Sequence, residues 1–100
     1  MRYLVVAALL AAASVSAAHA QTGRVSGAYV GCLTKQGLDE FITAATKNDA
    51  RHMQALLGTE CFPIEGQEFS VADRGFLKSQ IRVYAGGGSV LLWTVNEATR

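Results

Sequence analysis

Cys32, Cys61 and His52 are the side chains of this sequence with the most chemistry to offer. A thiolate beside an imidazole would be an activated nucleophile. A Cys/Cys/His set would begin a zinc site, but such a site takes more ligands than residues 21–100 offer. His52 is its one histidine, and no Cys-x-x-Cys spacing occurs. A disulfide between Cys32 and Cys61 is therefore expected, and it would remove both thiols at once. A Ser-His-Asp triad would have to use His52, and the Gly-x-Ser-x-Gly elbow is absent. The acidic pairs, Asp39-Glu40 and Glu65 with Glu68, fall on a helix end and a turn, where they serve solubility and the helix dipole. Gly86-Gly87-Gly88 is followed by a strand and by no Lys-Ser/Thr, so it is a hairpin turn rather than a phosphate loop. No catalytic residue, metal ligand or cofactor site is expected.

One constellation suits binding. Arg74, Lys78 and Arg82 recur every four residues, and Lys78 and Arg82 share a strand face with Tyr84. A face with two cations and an aromatic ring fits an anionic partner. Lys78, Arg82 and Tyr84 are the expected partner surface.

The elements that would position these residues change character at Cys61. Before it the apolar period is helical. Thr34 caps a helix over Lys35–Lys47, with Leu38, Phe41, Ile42 and Ala45 as one stripe. Asp49 caps a second helix over Ala50–Leu57, and Gly58 ends it. Two helices that fold back bring their outer ends together, and the two cysteines lie at those ends. Closing a loop of this length contributes about 3–4 kcal/mol in the chain-entropy model. After Cys61 the period is two. Strands are expected at Phe62–Ile64, Glu68–Ala72, Leu77–Tyr84 and Ser89–Val95. Alternation turns Leu77, Ser79, Ile81 and Val83 one way and Lys78, Gln80, Arg82 and Tyr84 the other. Trp93, on the opposing strand, is expected to cover the same core as Ile81 and Val83.

The fold expected is α+β. A helical hairpin over residues 33–58, closed by the disulfide, precedes a small antiparallel β-barrel or curled sheet over residues 61–96. The whole of residues 21–100 forms one domain. Its apolar content, 50% of the chain, argues against disorder.

Residues 1–20 read as a signal peptide. Arg2 is the positive start, Tyr3–Ala13 the apolar run, and Ala18-His19-Ala20 the small-x-small cleavage site. A membrane span would need about 20 apolar residues, and this run fades into Ser and Ala before that. The alanine-rich leader has a bacterial look, so a periplasmic or secreted location is expected, with no membrane span after cleavage. The formal net charge of +1 falls to zero without Arg2, which argues against a nucleic-acid binder.

Cys61-Phe62-Pro63-Ile64, Gly66, Phe69-Ser70-Val71, Ile81-Arg82-Val83-Tyr84 and Leu92-Trp93-Thr94 together resemble the strand rhythm of SH3-like barrels, as in small exported bacterial proteins. The resemblance implies a barrel over the C-terminal half. It does not extend to proline-rich peptide binding, for which Tyr84, Trp93 and Phe76 are the available aromatics. The tail Val90–Ala98 resembles, locally, the end of periplasmic C-type lysozyme inhibitors, although those are nearly all strand. Two functions follow as expectations: a non-catalytic periplasmic interaction module that meets another protein, or an inhibitor of a cell-wall enzyme. A flat face with exposed aromatics would favour the first, and an exposed loop the second.

Overall fold

The computed structural model describes Thr22–Arg100, so the expected signal peptide lies outside the described residues. The elements run β1 (Thr22–Arg24), β2 (Val30–Cys32), α1 (Lys35–Thr46), α2 (Ala50–Leu56), β3 (Cys61–Pro63), β4 (Glu68–Asp73), β5 (Lys78–Ala85), β6 (Gly88–Val95) and a 3-10 turn, Asn96–Thr99. The six strands form one sheet in the order β1-β4-β5-β6-β2-β3, every pair antiparallel.

This overturns the expectation of an N-terminal helical hairpin followed by a β-barrel or curled sheet confined to residues 61–96. Two strands precede the helices, and the helices are an insertion in the connection from β2 to β3. The physical reason is that β1 and β2 are three residues each, with glycine at their centres. Three residues carry no readable alternation, yet partners in the sheet hold them. At Gly31 a Cβ would lie 2.9 Å from the Leu92 Cβ, so only glycine lets β2 approach β6 this closely.

The sheet rolls up. β1 pairs β4 with Arg24 opposite Glu68, and β2 pairs β3 with Val30 opposite Pro63. Between these ladders the bonding continues round a bend. Val25 N–H donates to Gln67 C=O at 3.0 Å, Gly66 N–H to Val25 C=O at 2.9 Å, and Ile64 N–H to Tyr29 C=O at 3.0 Å. Residues 22–32 and 61–70 thus behave as one long bent pair. The concave face encloses a core of Val25, Ile64, Phe69, Ile81, Val83, Leu92 and Ala98.

The helices form as their caps dictate. The Thr34 side chain accepts from Gly37 N–H at 2.9 Å, and Asp49 Oδ1 from His52 N–H at 3.1 Å. Asn48, at φ 55°, makes the tight link between them; asparagine tolerates that left-handed conformation better than most residues. The helices cover the convex face of the sheet and build a second core of Cys32, Leu38, Leu56 and Cys61, with Trp93 packed against it.

Trp93 is a further correction. Ile81 stands opposite Leu92, whereas Trp93 stands opposite Gln80 and Cys32. Side chains alternate along a strand, so Trp93 lies on the face away from Ile81. From Leu92 to Val95 β6 is covered on both sides, and a strand apolar on both sides does not reveal which residue faces which core.

Candidate functional site

The Cys32–Cys61 disulfide is present, with the Cα atoms 4.0 Å apart. It is a direct cross-strand bridge between β2 and β3. Leu33 N–H donates to Glu60 C=O at 2.8 Å just beyond it, which places the cysteines at a non-hydrogen-bonded position, where side chains come closest. The bridge clamps the base of the helical insertion and leaves no thiol to react. His52 is exposed on α2. Among the described residues no three His, Cys, Asp or Glu side chains gather as a metal site, and no helix is long and apolar enough to cross a membrane.

Lys78, Arg82 and Tyr84 do share one face of β5. Their surroundings differ. Lys78 pairs with Asp39 of α1, so the helical layer claims that end of the strand. Arg82 Nη1 donates to Ser89 Oγ at 3.2 Å, and the Tyr84 hydroxyl shares a 2.8 Å bond with Ser70 Oγ. Tyr84 keeps 40% of its surface exposed. The three form a strip whose two ends have different surroundings.

A second feature stands out more. The loop between β4 and β5 presents Phe76 at 93% exposure and Leu77 at 65%. Exposing an aromatic ring and a leucine side by side forfeits about 1.5–3 kcal/mol of burial for each. The loop that does so is nevertheless held tightly. Asn96 takes all three of its successive carbonyls: Nδ2 donates to Gly75 C=O at 3.1 Å and to Phe76 C=O at 2.8 Å, and the backbone N–H to Leu77 C=O at 3.0 Å. Gly75 N–H donates to Ser79 Oγ at 3.2 Å. Ser79, wholly buried, donates in turn to Asn96 Oδ1 at 2.6 Å. Arg74 Nη1 donates to Thr99 Oγ1 at 3.0 Å. A Cβ at Gly75 would overlap the Lys78 carbonyl oxygen, so this position admits glycine alone.

The elements explain the rigidity. The ladder between β4 and β5 shifts register between Val71 and Asp73, and such a bulge re-aims the strand end. On the other side the 3-10 turn is pinned by Ala98, which is fully buried in the concave core, and this sets Asn96 under the loop. Asp73-Arg74-Gly75 reads as a strand break, and Phe76 as one aromatic among three. The signal in the sequence was an apolar pair, Phe76-Leu77, directly after a turn glycine and ahead of the alternating strand. The roles of Ser79, Asn96 and Thr99 had no such signal, because they depend on two segments meeting.

A third feature is an apolar pocket of about 300 Å³ where the rolled sheet opens. Leu33 and Val90 stand at its rim, 47% and 42% exposed, and buried Ile64, Val83 and Leu92 form its floor.

The described surface thus offers an apolar projection whose backbone is held by Asn96. No family model, curated protein or solved structure matches the chain.

Proposed function

We propose that the protein is a non-catalytic binding module that engages another protein by seating the Phe76–Leu77 loop in an apolar cleft of that partner. The carrying observation is the combination of a 93% exposed phenylalanine with a backbone tied at three successive carbonyls to Asn96. Binding anchors are typically aromatic. A loop ordered before the encounter loses less conformational entropy on docking. Arg82 and Tyr84 lie toward the opposite end of β5 from the loop and would be met only by a partner that spans the strand. The disulfide fits an oxidising, non-cytoplasmic compartment, and with the Ala18-His19-Ala20 motif we place the protein in a bacterial periplasm or outside the cell.

Inhibition of a cell-wall enzyme is the second reading, and the projecting loop favours it. An inhibitor of this kind works by occupying a cleft with a rigid loop. Two experiments separate the readings. Affinity capture from a periplasmic extract, run in parallel with wild type, Phe76→Ser and Arg82→Ala, should retain one partner that the Phe76 variant loses. A peptidoglycan-lysis assay with a muramidase should slow on adding wild type, and not Phe76→Ser, if the partner is a cell-wall hydrolase. A partner held equally by wild type and Phe76→Ser would overturn the loop as the binding element.

A further inference from the structure

We infer that the Phe76–Leu77 loop is read through its side chains alone, so that its partner is a protein with an apolar cleft and not a peptidase that takes the loop as a substrate mimic. This rests on the loop being the binding element, and it narrows what can bind it. A phenylalanine followed by leucine is what a peptidase with an apolar primary pocket selects, and Phe76 is almost fully exposed. By residue type and exposure the loop suits such an enzyme. Its main chain rules the enzyme out.

A peptidase works on an extended segment and draws the carbonyl of the residue in its primary pocket into an oxyanion hole. For Phe76 that carbonyl already accepts from Asn96 Nδ2 at 2.8 Å. The carbonyl before it, of Gly75, accepts from the same Nδ2 at 3.1 Å, and the one after it, of Leu77, from Asn96 N–H at 3.0 Å. Successive carbonyls of an extended chain point to opposite sides. Three that converge on one residue mean that residues 75–77 are curled round Asn96, with their acceptors turned into the protein. Taking Leu77 rather than Phe76 into the pocket changes nothing, since its carbonyl is held as well. The flanks keep the segment from straightening. Gly75 N–H is held by buried Ser79, Asp73 is paired with Gln80, and Lys78 with Val95. What the loop presents outward is a phenyl ring and an isobutyl group. A cleft that fits them is apolar and directs no donor at the loop carbonyls. Within the inhibitor reading, this sets aside the inhibition of a peptidase by substrate mimicry.

Chymotrypsin, whose primary pocket is a hydrophobic slot, is the probe. Native wild type with its disulfide intact should resist cleavage at Phe76–Leu77 and leave chymotryptic hydrolysis of a small chromogenic substrate unchanged. The same bond should be cut in the denatured chain. Asn96→Ala, which frees the carbonyls of Gly75 and Phe76, should be cut there at least about tenfold faster than wild type, with the site read from fragment masses. Leu38→Ala, destabilised in the helical cluster, should show no preference for this bond, which separates local release from general unfolding. Cleavage of native wild type at Phe76–Leu77 at the denatured rate, tight inhibition of chymotrypsin, Asn96→Ala cut at this bond no faster than Leu38→Ala, or a captured partner that cleaves peptide bonds would each overturn the inference. A capture experiment with no Phe76-dependent partner would overturn the binding loop instead and leave the digestion result standing.

Discussion

Ser79 Oγ lies 2.6 Å from Asn96 Oδ1, and through this bond a fully buried hydroxyl on β5 fixes the amide that holds the projecting loop. The amide is thereby oriented. With Oδ1 accepting from Ser79, Nδ2 faces the carbonyls of Gly75 and Phe76. Asn96 thus ties the exposed loop to the strand beneath it.

Asn96→Ala removes both Nδ2 bonds and leaves the Ser79 hydroxyl without its acceptor. An unsatisfied buried group costs about 1–3 kcal/mol, so urea unfolding should show a loss in that range. The amides of residues 75–77 should exchange faster than the global loss of stability alone predicts. Asn96→Asp should be at least as damaging, since a carboxylate would face two carbonyl oxygens. A variant with wild-type stability and wild-type exchange would remove Asn96 from this role.

Phe76→Ser should behave in the opposite way. The ring touches little in the free protein, so stability should change by less than about 0.5 kcal/mol, as at most exposed positions. The measurement that matters is partner binding, which should fall sharply. Loss of stability without loss of binding would mean that the ring packs in solution and the loop is structural.

Reduction of the disulfide should cost about 3–4 kcal/mol, the loop-entropy value for a sequence separation of 29. The bridge lies at the base of the helical insertion, and α1 and α2 bury few side chains: Leu38, Ala44 and Leu56. Circular dichroism with and without reductant should therefore show helical signal lost before the β signal. A single transition with both signals coincident would mean that the helices and the rolled sheet form one cooperative unit.

How much of this was legible follows from element length and from burial on one side or two. The helix caps were legible because Thr34 and Asp49 act within a single turn, and the observed bounds, Lys35–Thr46 and Ala50–Leu56, end one residue short of those expected. β5 was legible from Lys78 on because it alternates: Ser79, Ile81 and Val83 are buried, and Lys78, Gln80 and Arg82 are half-buried; Leu77, expected on the side of Ile81, is instead 65% exposed in the loop, where its carbonyl is held by Asn96. β1 and β2 were not, since they exist only through their partners. The bound Cys32–Cys61 pair was legible from chemistry alone, but its geometry was not. The expected meeting of helix ends is in fact a cross-strand pair, set by a strand too short to read. The face of Trp93 failed for the reason that makes the fold work, since β6 is apolar on both sides to serve two cores.

The two cores supply the last prediction. Leu38 and Trp93 pack in the helical cluster with the disulfide, and Ile81 lies in the concave core with Leu92. Leu38→Ala and Ile81→Ala should each cost about 2–5 kcal/mol, the range for large apolar side chains truncated in a core. In a domain of marginal stability such losses are best measured as shifts of the unfolding rate and midpoint, with a stabilising osmolyte present throughout. The informative quantity is the coupling. Leu38→Ala with Trp93→Ala should be non-additive, because the two truncations enlarge one shared space. Leu38→Ala with Ile81→Ala should add within about 0.5 kcal/mol, because the two belong to separate clusters on opposite faces of the sheet. Strong coupling between Leu38 and Ile81 would show that the sheet transmits repacking from one face to the other. The helical layer would then be energetically part of the rolled sheet, and not an insertion clamped onto it by Cys32 and Cys61.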